Sequence, residues 1–266
     1  MKRSEKWENN LKNLRTRELK IIFKYFGNMR FSKCLELGAG DGFQSKILIN
    51  ICDELIATDL NSKRLYASKK DRRLEYKVID AELVDKYFDK ASFDLIHSSN
   101  LMEHLPNIDE CLIGCFNVLK NDGFMVSVIP NPKWRLLASV LYYPVKIYRL
   151  FKFFLSKVGL SNSVRLPMIK NYQGNNIKLK RQNRSFLNQL IPPPHGVSKN
   201  SFFEFFEFRK SKWKKNFEKN GFQIVDILNG PISSGYGLGF DWLKSKLELL
   251  GFTTEYIYIL KKTEKL

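Results

Sequence analysis

Three acidic residues stand at the ends of three short apolar runs in the first third of the chain. Glu36 lies in LEL just before the turn GAGDG, Asp59 lies in LIATDL, and Asp80 lies in VIDAE. Gly38 and Gly40 let the backbone of that turn approach a ligand closely, because side chains would be in the way. One carboxylate such as Asp59 can accept hydrogen bonds from two vicinal ribose hydroxyls, and Asp80 can accept one from the exocyclic amine of adenine. The three acids therefore indicate a nucleoside-binding edge.

A parallel sheet would bring these acids together, since the carboxyl ends of parallel strands meet at one edge. Residues 4–26 have the three- and four-residue apolar spacing of an amphipathic helix. After them, the apolar runs CLEL, LIATDL, EYKVID, FDLIHSS and GFMVSVIP predict five strands. Helices are predicted between strands at about 44–52, 62–70 and 108–119. This alternation predicts an α/β fold whose sheet is covered on both faces.

The alternation stops after Pro130 and resumes with a helix that ends near Gly221. A strand, a helix at DWLKSKLELLG and a last strand at TEYIYILKK follow. We expect three regions: an N-terminal helix with the nucleotide-binding half of the sheet, a basic aromatic insert after the fifth strand, and C-terminal strands and helices that complete the sheet. Their predicted bounds are 1–130, 131–208 and 209–266.

The charge of the chain is concentrated in one stretch. The 266 residues include 45 Lys and Arg against 27 Asp and Glu, a formal net charge of +18. Residues 131–220 hold 19 of the basic residues and 3 of the acids, a net charge of +16. Such a surplus predicts an anionic partner. The apolar fraction of 44% excludes a disordered chain by composition.

The cysteines and the N-terminus bear on the compartment. The four cysteines lack the CxxC spacing of a zinc site, and Cys34 and Cys52 lie in apolar runs where reduced, buried thiols are usual. No apolar run reaches the roughly 18 residues that span a bilayer, and the first ten residues lack the apolar core of a secretory signal. We expect a cytoplasmic protein that is at most peripheral at the inner face of the cytoplasmic membrane.

As an ordered set, the segments LELGAGDG, ATDLN, VIDAE, FDLIHSSNLMEHLPN and LKNDGFMVSVIPNP resemble the successive motifs of class I S-adenosylmethionine-dependent methyltransferases of the type 11 family. The resemblance covers about residues 32–132 and the final strands. It implies a Rossmann-like, seven-stranded, mostly parallel sheet, the cofactor S-adenosyl-L-methionine and a methyltransferase activity. Acidic strand ends agree with a sulfonium cofactor better than with a pyrophosphate. The segments around PHG, FFEFFEFRKSKWKK and SSGYGLG are more loosely similar to methyltransferases of surface-polysaccharide and glycolipid pathways.

The resemblance also implies roles for individual residues. Glu36 and the turn would hold the methionine part of the cofactor, Asp59 the ribose, Asp80 the adenine, and the segment from Ser98 to Asn100 the edge nearest the methyl group. The full set of predicted cofactor-binding residues is Glu36, Gly38, Ala39, Gly40, Asp59, Leu60, Asp80, Ala81, Ser98 and Ser99.

No metal is predicted. Many relatives have Glu at the position of Asn100, and in some ubiquinone-pathway members that Glu and a following Glu-His pair bind a divalent metal. Here Glu103 and His104 are present, but the first acid is Asn100.

Methyl transfer from a sulfonium is an in-line displacement, and a hydroxyl acceptor must also lose its proton to a base. His104 is the first candidate base, with Glu103 as its orienter or as an independent base, and the alternative is that His104 only caps a turn. His195, in a loop stiffened by three prolines, is the second candidate, and its alternative is an exposed loop imidazole. His97 sits inside a predicted strand and is expected to be a core residue.

The insert points to the acceptor. Its segment WRLLASVLYYPVKIYRLFKFFL mixes aromatic and basic residues, and Pro144 is expected to break it into two short helices. Such helices settle at anionic membrane interfaces, so residues 134–155 predict peripheral membrane contact, the alternative being a lid packed on the sheet. The acceptor is expected to be an anionic small molecule, glycan or glycolipid that is methylated on oxygen.

Three alternatives stay open at this stage: an RNA methyltransferase, a phospholipid or quinone-precursor methyltransferase, and a non-catalytic protein that binds membrane or nucleic acid. Contact with nucleic acid is therefore not excluded by the sequence. The SSGYGLG segment is expected to be a mobile loop that closes on the acceptor.

Overall fold

A computed structural model describes residues 5–62, 71–157, 195–197, 201–233 and 241–263. Within these ranges, the strands are β1 Phe31–Leu37, β2 Cys52–Asp59, β3 Leu74–Val78, β4 Phe93–Ser99, β5 Leu119–Pro130, β6 Phe222–Asn229 and β7 Glu255–Lys262. The helices are α1 Glu5–Phe26, α2 Ser45–Leu48, α3 Ile108–Val118, α4 Pro132–Lys157, α5 Ser201–Glu207, α6 Lys210–Lys219 and α7 Asp241–Leu249. Short 3-10 helices occupy Ile49–Ile51, Ala81–Lys86 and Met102–His104.

The strands form one seven-stranded sheet in the order β3-β2-β1-β4-β5-β7-β6. Strands β1 to β5 are parallel, whereas β7 runs antiparallel between β5 and β6. The prediction of a Rossmann-like, mostly parallel sheet is confirmed. The sheet reverses its order between β1 and β4, and ligands of open α/β sheets bind at the carboxyl ends of the strands at such a switch point.

Both faces of the sheet are covered, as the apolar strand runs require. On one face, buried residues of α3 and α6 such as Leu112 and Phe217 pack against Leu35 and Ile96. On the other face, Leu19 and Ile22 of α1 join the core with residues of the central strands. The long N-terminal helix is therefore a part of the domain core, and its buried face lies against the sheet.

Helix α4 contradicts the prediction of two short helices, because it continues through Pro144. Proline removes one backbone hydrogen bond to the residue four positions earlier, and here that residue is Val140, which is 59% exposed. Water can hydrogen-bond to a carbonyl on the exposed side of a helix, so the missing bond does not force a break. Among the described helices, none combines the length and apolar character needed to cross a bilayer.

The prediction of reduced thiols at Cys34 and Cys52 was also wrong, because their sulfurs are bonded as a disulfide between β1 and β2. Neighbouring parallel strands bring the two side chains together although 18 positions separate them in the sequence. Cys111 and Cys115 are buried free thiols in α3. The predicted helix at 62–70 and the SSGYGLG segment lie almost wholly outside the described residues, as does the insert between 158 and 194.

Candidate active site

The turn after β1 needs its glycines for backbone geometry. Gly38, Gly40 and Gly42 all lie in the left-handed region, with φ of +73°, +62° and +73°, which favours residues without a Cβ. A Cβ on Gly42 would also lie 2.6 Å from the hydroxyl oxygen of Tyr76. Ala39, between the first two glycines, is buried and its amide donates to the Thr58 carbonyl of β2 at 2.8 Å. The turn is thereby held at the carboxyl edge of the sheet.

Asp59 links this turn to the end of β2. Its Oδ2 accepts from the Gly40 amide at 2.9 Å, and its Oδ1 accepts from the Asn61 amide at 2.8 Å. The carboxylate is half-buried beside the turn, and the neighbouring Leu60 is 52% exposed. Asp59 therefore braces the glycine turn, and its half-buried position at the strand end leaves it reachable by a ligand that lies along this edge.

Glu36 is buried at the end of β1. The Ser45 hydroxyl donates to its Oε2, and His97 Nδ1 of the adjacent β4 lies 3.9 Å from its Oε1. Burial raises the pKa of Glu36 to about 7. His97 is 1% exposed, as predicted for a core residue, and burial lowers its pKa, so its imidazole is neutral. The Glu36 carboxyl group is therefore partly protonated near neutral pH, and a nearby cation would lower its pKa and favour the carboxylate.

Asp80 follows β3 and begins the 3-10 helix Ala81–Lys86. Its Oδ1 accepts from the Glu82 amide at 3.0 Å, which satisfies a free amide at the start of that helix. Ala81 is 9% exposed and packs in the core below it. The predicted adenine contact therefore lies at a helix start, where Asp80 Oδ1 is occupied by the Glu82 amide.

The end of β4 joins the N-terminal helix. The Ser98 hydroxyl is buried and lies 3.1 Å from that of Ser127 in β5, so it is directed between strands. The Ser99 hydroxyl donates to Glu18 Oε2 at 2.7 Å and accepts from Arg15 Nη1 at 2.5 Å. Asn100 follows with a φ of +50°, an uncommon conformation for a residue other than glycine. Of the two predicted serines, only Ser99 faces the edge of the sheet where α1 crosses it.

Sequence reasoning missed the α1 residues of this network. Arg15 Nη1 lies 2.8 Å from Glu18 Oε1, and Gln44 Nε2 donates to Glu18 Oε2 at 3.2 Å. Glu255, at the start of β7, is also buried beside Glu18, and burial with that second carboxylate holds the pKa of Glu255 well above its usual range. The available signal was Glu18 itself, since it falls one turn after Leu14 and one turn before Ile22 on the apolar face of α1. A charged residue there needs buried partners.

The three predicted bases come together at this edge. His104 Nε2 lies 3.7 Å from Glu103 Oε1, and His195 Nε2 lies 4.0 Å from the same oxygen. The two imidazole rings are in contact, with centroids 4.7 Å apart. Among the residues that the structure describes, neither oxygen of the buried Glu103 has a hydrogen-bond partner. We call Glu103, His104 and His195 the Glu-His-His cluster.

Burial sets the protonation of the Glu-His-His cluster. It raises the pKa of Glu103 to about 8 and lowers the pKa of both His104 and His195, so all three groups are predominantly neutral at pH 7. About a quarter of the His104 side chain and a third of the His195 side chain are exposed. The imidazoles are therefore accessible from outside, whereas the carboxyl group is not.

His195 is held in the cluster by its own backbone and by helix α5. The amides of His195 and Gly196 donate to Glu204 Oε1 at 2.6 and 2.7 Å, and the Val197 amide donates to the Glu103 carbonyl at 3.2 Å. A Cβ on Gly196 would lie 2.3 Å from that carbonyl oxygen, so only glycine fits here.

Helix α4 packs on the same loop from the other side. Arg135 forms a buried ion pair with Glu204 at 3.2 Å, and the Trp134 ring lies 4.7 Å from the His195 ring. The exposed-loop alternative for His195 is therefore wrong. Contacts with α4, with α5 and with the Glu103 carbonyl hold this loop in place, and the loop in turn holds His195 beside Glu103.

Comparison with known proteins agrees with this architecture. Residues 35–127 match the family model of a methyltransferase domain. The ubiquinone biosynthesis O-methyltransferase of Pelagibacter ubique is 28% identical over 98 residues, which cover 35% of this chain and 40% of the relative. The enzyme of the same name from Rhodopseudomonas palustris is 24% identical over 129 residues, 44% of this chain and 50% of the relative. The chain spans about half the length or less of these curated relatives.

Solved structures resemble the whole chain in fold. A putative S-adenosylmethionine-dependent methyltransferase from Listeria monocytogenes has a TM-score of 0.56 at 15% identity, covering 94% of this chain and 98% of the other. The YcgJ protein from Bacillus gives a TM-score of 0.54 at 15% identity, covering 94% of this chain and all 100% of the other. At such identities the likeness concerns the fold.

The sheet order and the likeness to these solved structures show that the chain has the fold of class I methyltransferase domains. More narrowly, residues 35–127 match the methyltransferase-domain family model, which agrees with the resemblance drawn from the motifs.

Proposed function

We propose that this protein is an S-adenosylmethionine-dependent methyltransferase that methylates a hydroxyl oxygen of an anionic, lipid-linked glycan or glycolipid at a membrane surface. The observation that carries the first half is the glycine turn braced by Asp59 beside the buried Glu36. A sulfonium cofactor carries an ammonium group, a ribose and an adenine, and the three strand-end acids offer an acceptor for each. A phosphate-bearing cofactor would instead face three carboxylates, which is electrostatically unfavourable.

The proposed chemistry uses the Glu-His-His cluster as the base. The acceptor oxygen attacks the methyl carbon, the carbon–sulfur bond breaks with its electron pair going to sulfur, and the hydroxyl proton passes to an imidazole nitrogen. Both imidazoles are neutral at pH 7 and partly exposed, so either can accept that proton. His104 comes five positions after Ser99, the last residue of β4, which favours it as the base. His195 would then orient the acceptor.

The acceptor class is inferred from helix α4. Leu136, Val140, Tyr143, Ile147 and Phe151 recur at helical spacing, and each is between 48% and 66% exposed. We call this set the α4 stripe. The opposite side of the same helix is buried, with Trp134 and Ala138 packed on Phe208. An exposed aromatic and aliphatic stripe on a helix that also carries Lys146, Arg149 and Lys152 in sequence suits the interface of an anionic membrane.

A second candidate acceptor is a quinone precursor. The curated relatives are named ubiquinone biosynthesis O-methyltransferases, and they match 35% and 44% of this chain. A quinone precursor shares with a glycolipid a reactive hydroxyl and an apolar anchor. The two candidates differ in the methylated group, which is a phenol in one case and a sugar hydroxyl in the other.

Cofactor binding tests the enzyme half of the proposal. Isothermal titration with S-adenosylhomocysteine is expected to show one site, which Asp59→Ala weakens about 30-fold, because a charged hydrogen-bond acceptor is worth about 2 kcal/mol. Asp53→Ala, an exposed acid on the same strand paired with Arg30, should bind like the wild type. If the wild-type protein does not bind S-adenosylhomocysteine, the enzyme proposal is wrong.

Methyl-labelled S-adenosylmethionine tests the acceptor half. The full chain is incubated with a lipid extract, a polysaccharide fraction and total RNA in separate reactions, and the products are analysed by mass spectrometry after acid hydrolysis. Label in a methylated sugar from the lipid extract supports the glycolipid proposal, and label in a methylated phenol supports the quinone precursor. Label in RNA alone overturns both, and retention of cofactor without any transfer would support the non-catalytic alternative.

A further inference from the structure

We propose that the Glu-His-His cluster is a binding site for a first-row divalent transition metal, with Glu103, His104 and His195 as the protein ligands. This inference rests on the proposed function, because it assigns the metal to the acceptor end of the same site. It departs from the sequence-based expectation of no metal.

The possible ligand atoms of Glu103, His104 and His195 converge on one point. One ligand atom of each residue lies within 4.8 Å of the others, and two of the separations, from Glu103 Oε1 to each Nε2, are 3.7 and 4.0 Å. Zinc bonds of about 2.0–2.1 Å at tetrahedral angles place ligand atoms about 3.4 Å apart. To close on an ion, the separations between ligand atoms would therefore have to shorten by about 0.3 to 1.4 Å.

The burial of Glu103 also favours a bound cation. Its side chain is buried, and neither carboxyl oxygen has a hydrogen-bond partner among the described residues. Burying a carboxyl group without a hydrogen-bond partner lowers the free energy of unfolding. A cation between Glu103 and the two partly exposed imidazoles would satisfy it.

His195 lies far from Glu103 in the sequence, and the backbone around it is held in place beside Glu103. Its backbone and that of Gly196 are fixed by Glu204, and the Val197 amide is fixed by the Glu103 carbonyl. Ligand loops that are preorganised by such contacts bind metal more tightly than free ones. His195 thus supplies the third ligand from a separate segment of the chain.

The ligand types select the metal. Two imidazoles and one carboxylate suit Zn²⁺, Fe²⁺, Mn²⁺ or Co²⁺, whereas Mg²⁺ and Ca²⁺ prefer all-oxygen sites. Three protein ligands leave at least one coordination position open. The acceptor hydroxyl would occupy that position, where the ion would lower its pKa. In the metal-bound protein, solvent would replace the imidazole as the acceptor of the hydroxyl proton, because both Nε2 atoms would be ligands.

The test uses the full chain, freed of any purification tag, stripped with chelator and titrated with Co²⁺ and separately with Zn²⁺, Mg²⁺ and Ca²⁺. We expect one Co²⁺ per chain with visible absorption bands, competition by Zn²⁺, and no competition by Ca²⁺. His195→Ala and Glu103→Gln should each weaken Co²⁺ binding by about tenfold or more. Glu207→Gln and Glu110→Gln, exposed acids on α5 and α3, should not change it.

A second measurement avoids substitutions altogether. The chain has three histidines, so ring nitrogen resonances of the wild-type protein report each site. Zn²⁺ should shift the signals of His104 and His195 and leave the buried His97 unchanged. Absence of Co²⁺ and Zn²⁺ binding, or equal shifts of all three histidines, overturns the metal site. S-adenosylhomocysteine binding measured on the same samples separates this failure from failure of the methyltransferase proposal.

Discussion

The carboxyl edge of the sheet and the α4 stripe have opposite characters. The edge buries four glutamates, Glu18, Glu36, Glu103 and Glu255, within a chain whose net charge is +18. The stripe exposes large apolar side chains within the most basic part of the sequence. Each region departs from the usual rule for its place in a fold, since acids are rarely buried and apolar side chains are rarely grouped on the surface. The total charge therefore describes the outside of this protein, whereas the proposed chemistry depends on carboxyl groups buried at one edge of the sheet.

The largest expected effect concerns the buried ion pair that joins the two regions. Glu204→Ala leaves the Arg135 guanidinium buried without its carboxylate, and it removes the acceptor of the His195 and Gly196 amides. We expect the free energy of unfolding to fall by about 3 kcal/mol. Chemical denaturation measures it.

The matched control for that prediction is the exposed pair formed by Arg30 and Asp53. Asp53→Asn should change the free energy of unfolding by less than about 1 kcal/mol. Equal losses in the two variants would mean that burial does not distinguish the edge from the surface.

The next effect concerns the position of His195. Gly196→Ala would place a Cβ against the Glu103 carbonyl and displace the loop, although no side chain of the cluster changes. A displacement of about 1 Å is expected to lower kcat about 100-fold, while S-adenosylhomocysteine binding stays as in the wild type. Val197→Ala, an exposed neighbour in the same loop, is the control. Unchanged kcat in Gly196→Ala would separate His195 from the chemistry.

A pH-dependent effect on stability is expected from Glu36. Burial raises its folded-state pKa from 4.5 to about 7, so the protonated form stabilises the fold and the free energy of unfolding falls as pH rises through this window. Glu36→Gln should therefore match the wild type at pH 4 and exceed its stability by about 2 kcal/mol at pH 8. Denaturation at the two pH values measures the difference. The same variant should bind S-adenosylhomocysteine more weakly, and equal stability at both pH values would contradict the assigned cost of burying this acid.

The smallest effect concerns the α4 stripe. Ile147→Asp is expected to weaken sedimentation with anionic vesicles about fivefold, because one partly inserted apolar side chain contributes about 1 kcal/mol. Its stability should be unchanged, since Ile147 is 66% exposed. Lys215→Ala, at an exposed position on α6, also lowers the net charge by one and serves as a charge-matched control for non-specific attraction. Equal weakening of vesicle binding in both variants would mean that general electrostatic attraction, and not the α4 stripe, accounts for the binding.

Local sequence patterns predicted most of the fold. Strand β4 begins and ends where the run FDLIHSS begins and ends, and α1 and α3 begin and end within one residue of their predicted bounds. These elements depend on apolar periodicity and on adjacent turn residues, which act over short separations. The prediction of a helix break at Pro144 was wrong because the effect of a proline depends on the surroundings of the carbonyl that loses its hydrogen bond, here that of the exposed Val140. The Cys34–Cys52 bond was missed because strand pairing, and not spacing, brings the two residues together.

The sequence by itself determined that three acids share one edge of the sheet, because Glu36, Asp59 and Asp80 lie at or next to strand ends and parallel strands present their ends together. Only the tertiary structure decided the rest of the site. His195 stands 91 positions after His104 in the numbering of the chain, and it reaches Glu103 because Glu204 and the glycine at 196 fix one short loop there. Glu18 reaches Ser99 because α1 packs across the sheet. Contacts of this kind depend on how separate elements pack, and no local pattern encodes them.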